Sequence, residues 1–303
     1  MNRPVPPIVA RAHTAGQEGQ ASRLATKRIL MAVIIAWAAL AALLMFTDLK
    51  ISQTLADRNS PMGLFIEHYG DIPGLVIILF AGLVMIAQLS GRRGWALGAL
   101  RVILFLLSVF IVFYMAVELA RPFFAFSALL RRRWVVFSLE IAAVVGLCLR
   151  LAWGRAQRFA AKHPSFAALT LRFAFFAYLV FVHGLKGIWG RVRFCDLAKG
   201  GANFTPYYQP RGFTGGLSFP SGHTVMAWML LPLLILVWRR RLPLKVLVLA
   251  VLIAWALLVA YARVLVGAHY ASDVLFSTGA ALVCFLILIR RQGASPAREG
   301  AAI

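Results

Sequence analysis

The chain has 303 residues, of which 61% are hydrophobic and 14% are charged, and its mean hydropathy is +0.82. Soluble domains average about 25% charged residues, so a water-soluble globule with one buried core is excluded. The 32 Lys and Arg residues outnumber the 10 Asp and Glu residues and give a net charge of +22. Because these cations cluster between apolar runs, they do not indicate a nucleic acid-binding domain.

Apolar runs of about 18 residues or more predict helices that span a membrane. None of the runs alternates strictly between apolar and polar residues, so helices and not a barrel are expected. The predicted spans, in chain order, are roughly 29–47, 72–90, 95–118, 134–152, 166–185, 223–238, 243–262 and 270–289. We therefore predict an all-α integral membrane protein with about eight transmembrane helices.

The two ends of the chain differ from the spans in composition. Residues 1–25 are polar and rich in Ala, Gly, Gln and Arg, which predicts a disordered N-terminus. We interpret the first span as an uncleaved anchor and not a signal peptide, because the apolar run continues past Ala39-Leu40-Ala41. The predicted organisation is a two-helix extension over 26–92, a six-helix core over 93–291 and a tail over 292–303.

Basic residues between the predicted spans orient the chain. If every span crosses once, nearly all basic clusters fall on one side, which the positive-inside rule makes cytoplasmic. These residues are Arg23, Lys27, Arg28, Arg92, Arg93, Arg155, Arg158, Lys162, Arg239, Arg240, Arg241, Lys245, Arg290 and Arg291. Both termini are therefore predicted to be cytoplasmic. The run Arg131–Arg133 falls on the predicted outer side, either as an anchor to anionic headgroups or as a basic collar for an anionic lipid.

Three short polar clusters lie at the ends of apolar runs in the C-terminal part of the chain. With eight spans, all three clusters reach the outer membrane face, so we expect them to form one site. Their residues are Lys186 and Arg193; Pro220, Ser221, Gly222 and His223; and Arg263, His269 and Asp273.

The residue types in these clusters suit the binding and attack of a phosphate group. His269 and Asp273 are four apart, so at a helix start they share a face, and the carboxylate can fix the imidazole tautomer. The other ring nitrogen is then free to act as a nucleophile. His223 is placed to donate a proton. Ser221 and Gly222 open a helix, whose unpaired N–H groups bind phosphate well.

Three cations and no metal-binding pattern complete this inventory. Lys186, Arg193 and Arg263 would balance the charge on phosphoryl oxygens, and the planar fork of Arg can engage two oxygens at once. The cysteines show neither metal-ligand nor paired spacing, so we predict no metal and no cofactor. They are Cys148, Cys195 and Cys284.

Together the clusters resemble the type 2 phosphatidic acid phosphatase superfamily of membrane lipid phosphatases, which is related in motif to the vanadium haloperoxidases. The family pattern is Lys, six residues, Arg-Pro; then Pro-Ser-Gly-His; then Ser-Arg, five residues, His, three residues, Asp. The resemblance covers about 166–289, and the apolar spans exclude a soluble haloperoxidase. Phe194 stands where the family has Pro, and Ala262 stands where it has Ser.

The resemblance implies a six-helix core, here preceded by two further spans, and a metal-independent reaction. It implies that His269 is the nucleophile that forms a phosphohistidine, that Asp273 orients it, and that His223 is the general acid. It also implies a set of phosphate-binding residues, namely Lys186, Arg193, Ser221, Gly222 and Arg263.

We therefore expect an inner-membrane phosphatase that hydrolyses a lipid phosphomonoester or pyrophosphate at the periplasmic face. Undecaprenyl pyrophosphate and phosphatidic acid are the leading substrate types, and the loop 194–219 is expected to cap the site and select the headgroup. A lipid A phosphatase and a lipid phosphotransferase remain alternatives with the same site. A non-catalytic transporter is a further alternative, because Arg101, Glu140 and Arg172 lie within predicted spans.

Overall fold

The computed structural model of the chain describes residues 7–126, 128–198 and 201–291. Side chains are described from Leu24 onward, apart from a number of them between residues 120 and 152. Within these ranges all regular structure is helical, which confirms the predicted all-α fold class.

The α-helices are numbered here in chain order. They are α1 (Pro7–Leu55), α2 (Pro61–Tyr69), α3 (Ile72–Leu89), α4 (Trp95–Phe126), α5 (Ala128–Lys162), α6 (Pro164–Phe173), α7 (Gly184–Trp189), α8 (Gly222–Trp228), α9 (Leu234–Val237), α10 (Leu242–Leu265) and α11 (Ala271–Arg291). A π-helical segment, Ala174–His183, joins α6 to α7, and 3-10 turns cover Phe194–Asp196 and Leu231–Leu233.

Six segments of the described chain are long and apolar enough to cross a membrane. They are Leu24–Leu55, Pro61–Leu89, Trp95–Leu119, Pro164–Asp196, Leu242–Leu265 and Ala271–Arg291. These segments overlap six of the predicted spans, and they indicate a multi-pass membrane protein.

The two remaining predicted spans differ from these six. The span 134–152 lies inside α5, where many side chains fall outside the described part of the chain. The span 223–238 corresponds to a shorter apolar segment, Gly222–Val237, which is not one continuous α-helix. Pro232 lies in a 3-10 turn between α8 and α9, and a proline has no N–H to continue the helical hydrogen-bond ladder.

The N-terminal segment corrects one prediction. The sequence predicts disorder for residues 1–25, but α1 begins at Pro7 and runs through the first span without a break. Several alanines in this segment are strong helix formers, which favours the extension of the helix. Residues 1–6 and the predicted tail 292–303 lie outside the described residues.

Helix α8 lies in the main buried cluster of the protein. Val225 and Met226 are buried together with side chains of α3, α6, α10 and α11. At Gly74, α3 approaches α8 closely, because an added Cβ would overlap the backbone carbonyl of Met226. Helix α1 packs on α11, where an added Cβ at Gly279 would overlap the indole ring of Trp37. These contacts fix the positions of α8 and α11, which carry predicted site residues.

Candidate active site

The beginning of α8 forms one side of the site. Ser221 is the N-cap residue of α8, and its Oγ accepts a hydrogen bond from the N–H of Thr224 at 3.5 Å. Ser221 and Gly222 are both buried. The side chain of Lys186, in the last turn of α7, reaches this point, because a Cβ on Gly222 would lie 3.7 Å from the Lys186 Nζ. The amine therefore lies beside the start of α8.

Helix α2 contacts two of the predicted site residues. The Nε2 of His223 lies 3.1 Å from the backbone oxygen of Glu67, within hydrogen-bond distance. The Glu67 side chain forms an ion pair with Arg263, with 3.0 Å between Oε1 and Nη1. Arg263 is 3% exposed, and its Nε has no hydrogen-bond partner among the described residues. The guanidinium is therefore buried with free donor capacity.

His269 and Asp273 lie side by side where the chain enters α11. The His269 Nδ1 is 3.5 Å from the Asp273 Oδ2, and both side chains are buried. This distance is at the outer limit of a hydrogen bond, and Nδ1 makes no well-directed bond to any described residue. The backbone N–H of His269 donates to the carbonyl of Arg263 at 3.1 Å, which closes the turn between α10 and α11. The turn therefore holds these three residues together.

Burial controls the protonation of His269. Removal of the imidazole from solvent disfavours its charged form and lowers the pKa of His269 to about 4, against the opposing effect of the Asp273 carboxylate. Arg263 and Lys186 also lower this pKa through their positive charge. The ring is therefore neutral at pH 7, which is the form that a nucleophile requires.

Arg193 completes the group of cations. It is half-buried and directly precedes the 3-10 turn Phe194–Asp196. It lies close enough to Lys186 and to Arg263 for its positive charge to act on both, and His269 lies close enough to act on His223. The structure thus brings the predicted site residues together in one region, at the adjoining ends of α7, α8, α10 and α11.

Arg191 is a site-region residue to which the sequence assigns no role. Its guanidinium is 1% exposed and pairs with Asp273 and with Asp48 of α1. Ser218 also donates to Asp273, through its hydroxyl group. The first predicted span ends at about residue 47, just before Asp48, but α1 continues past Asp48 to Leu55. A carboxylate inside an apolar helix is the signal that indicates a buried partner.

The loop 194–219 lies beside this region, and residues 199 and 200 within it lie outside the described part. The Trp189 indole donates to the Tyr207 carbonyl at 2.7 Å and stacks on Phe219 with ring centroids 4.4 Å apart. The Tyr207 hydroxyl donates to the carbonyl of Ala41 in α1 at 2.8 Å. The loop is thereby attached both to α7 and to α1.

The described residues contain no group of three or more His, Cys, Asp or Glu side chains placed to hold a metal ion. Cys195 and Cys284 are free thiols, and the side chain of Cys148 lies outside the described set. The side chains of Arg131–Arg133 also lie outside it, so the alternatives of anchor and collar stay predictions.

Comparison with known proteins adds one finding to this geometry. Residues 167–295 match the family model of the PAP2 superfamily. Neither the curated proteins nor the solved structures compared with the chain gave a match. The matched range contains α7, α8, α10 and α11, whose ends carry or adjoin the site residues. Residues 167–295 thus match the superfamily that the sequence motifs resemble, which supports an activity of the phosphatase type in general.

Proposed function

We propose that this protein is a membrane lipid phosphatase that hydrolyses a phosphomonoester or pyrophosphate on a lipid whose tails stay in the bilayer. The observation that supports this most strongly is the gathering of cations, two imidazoles and a buried carboxylate at adjoining ends of apolar helices. A lipid phosphate presents its charged group at such a position while its tails remain among the helices.

Phosphate binding is assigned to the cations and to the beginning of α8. Lys186, Arg193 and Arg263 offset the negative charge of the phosphoryl oxygens, and the N–H groups near Ser221 and Gly222 donate to them. Preorganised groups of this kind contribute roughly 3–4 kcal/mol each to transition-state stabilisation. The free donor capacity of the buried Arg263 supports this assignment.

The proposed reaction has two steps. In the first, the free ring nitrogen of His269 attacks phosphorus, the bond from phosphorus to the leaving oxygen breaks, and His223 gives its proton to that oxygen. In the second, His223 accepts a proton from water, the water oxygen attacks phosphorus, and the bond to His269 breaks to release inorganic phosphate. Asp273 orients the ring and stabilises its positive charge in both steps.

The proposed substrate types rest on the family resemblance, and the proposed membrane face rests on the basic residues between the spans. Undecaprenyl pyrophosphate and phosphatidic acid are the leading substrate types, and lipid A remains an alternative. Span counting and the positive-inside rule support a periplasmic site in an inner membrane, with both termini cytoplasmic. Transfer of the phosphoryl group from His269 to a second lipid would use the same residues as hydrolysis.

A transporter is less well supported than a phosphatase. Its main argument is the charge within predicted spans, but Glu140 and Arg172 are exposed on the helix surface, and Arg101 is half-buried. Among the buried charges of the described chain, Arg191, Arg263 and Asp273 lie at the site and Asp48 pairs with Arg191, while Asp71 and Glu118 are buried elsewhere along the helices.

Phosphate release by the purified protein in detergent tests the proposal. The panel contains phosphatidic acid, undecaprenyl pyrophosphate, phosphatidylglycerol phosphate and lipid A. We expect His269→Ala to abolish release while the protein stays folded, and His163→Ala, at the far end of α6 from Lys186, to retain it. Vanadate should inhibit and EDTA should not. Full activity of the His269→Ala variant would contradict the proposal.

A further inference from the structure

We propose that Asp48, in the N-terminal helix α1, is a positioning residue for catalysis, which acts on Asp273 through Arg191 and Ser272. This inference rests on the proposed phosphatase function. It extends the site beyond the residues matched by the family model, because Asp48 precedes residue 167 by more than a hundred positions.

Arg191 joins the two carboxylates. Its Nη2 donates to Asp48 at 2.7 Å, and its Nη1 pairs with Asp273, 82 residues later in the chain. Its Nε donates to the carbonyl of Thr205 at 2.9 Å, and its guanidinium carbon lies 3.9 Å from the centre of the Tyr270 ring. The planar fork is thus held on every side, so a shift of either carboxylate is transmitted to the other.

Asp48 also binds the first turn of α11 directly. Its Oδ1 accepts a hydrogen bond from the Ser272 N–H at 2.8 Å, and its Oδ2 accepts one from the Ser272 hydroxyl. The same hydroxyl accepts a hydrogen bond from Arg191 Nη1 at 2.7 Å. A carboxylate beside the first N–H groups of a helix stabilises that helix end. Asp48 therefore caps α11 from another helix, one residue before Asp273.

These contacts determine which way the Asp273 carboxylate faces. Its Oδ1 is occupied by Arg191, and its Oδ2 accepts from the Ser218 hydroxyl and from the Tyr270 N–H at 3.0 Å. The Oδ2 is the oxygen that faces His269. Loss of the Asp48 charge would leave Arg191 with one carboxylate partner, free to draw Asp273 away from the imidazole.

Packing contacts hold α1 in place where Asp48 meets Arg191 and Ser272. Trp37 lies over Gly279 of α11, and Tyr207 binds the carbonyl of Ala41. Asp48 follows these two contacts along the same helix, and it is 3% exposed. Helix α1 is thus held against α11 and against the loop 194–219. These contacts fix the position of the Asp48 carboxylate relative to α11.

Steady-state kinetics of the Asp48→Asn variant test the inference, with phosphatidic acid in detergent micelles as the substrate. If the wild type releases phosphate only from another lipid of the panel, that lipid is the substrate instead. The substitution keeps the side-chain shape and removes the charge. We expect kcat to fall about 10- to 100-fold, as for residues that orient a metal ligand from outside. We expect KM to change by less than about twofold, because within the described chain the side chain of Asp48 bonds to Arg191 and Ser272 and to none of the proposed phosphate-binding residues.

The matched control is Asp57→Asn, which removes an exposed carboxylate just beyond the same helix. It should leave kcat and KM unchanged. If Asp48→Asn fails to elute as a folded protein in detergent, Ser272→Ala decides instead, since it removes the bridging hydroxyl and keeps both charges. Its kcat should also fall with little change in KM.

The outcomes separate this inference from the function on which it rests. An active wild type with full kcat in Asp48→Asn, or a loss that lies only in KM, overturns the positioning role and leaves the phosphatase intact. A wild type that releases no phosphate from any lipid in the panel overturns the proposed function itself.

Discussion

Replacement of Arg191 by Met should strongly destabilise the folded protein. The side chain is 1% exposed, and its removal leaves the carboxylates of Asp48 and Asp273 buried without their shared cation. Loss of one partner from a buried ion pair costs about 3–5 kcal/mol. At about 2–4 °C per kcal/mol for domains of 150–250 residues, the midpoint of thermal unfolding should fall by about 6–20 °C.

Thermal unfolding in detergent, followed by the fluorescence of the 8 tryptophans, measures this effect. Arg191→Lys keeps the charge, but one nitrogen cannot reach Asp48, Asp273 and the Thr205 carbonyl together. Its loss should be intermediate, about 1.5–3 kcal/mol, the range for a hydrogen bond to a charged group. Arg211→Lys, at an exposed position of the loop 194–219, is the control and should change nothing. A drop of less than about 2 °C for Arg191→Met would refute the reasoning.

Three further predictions concern pH, substrate affinity and packing. The neutral ring of His269 is the proposed nucleophile, and burial lowers the pKa of His269 to about 4. Activity should therefore persist as the pH falls from 6.5 to about 5 and decline only towards pH 4. A loss of kcat/KM centred near pH 6.5 would contradict this. The Glu67→Gln substitution removes the carboxylate that competes with phosphate for Arg263. The KM should therefore fall by up to about fivefold, which is equivalent to about 1 kcal/mol, the value of a partly exposed ion pair. An unchanged or higher KM would argue against such competition. The Gly74→Ala substitution should lower the free energy of unfolding by about 1–3 kcal/mol, because the added Cβ overlaps the backbone of α8. The control Gly146→Ala should leave it unchanged, because the position has open space around it.

The predicted spans show which features of the fold can be predicted from local composition. Hydropathy sums over neighbouring residues, so the spans within Leu24–Leu55 and Ala271–Arg291 could be located without knowledge of any contact. Where a proline interrupts the pattern, as in Gly222–Val237, composition still marked an apolar segment but did not show that it divides into α8 and α9. The same limit applies to the N-terminus, where polar composition predicted disorder and α1 begins at Pro7.

The candidate site also has features that the sequence predicts and features that it does not. The sequence by itself determined the chemical groups, because Lys186, His223 and Asp273 belong to short motifs whose spacing indicates phosphate chemistry. Only the tertiary structure decided that Arg191 pairs with Asp48, 143 residues away. That pairing depends on the rotation and depth of α1 against α11, which the packing of whole helices sets, and no local pattern of residues encodes it.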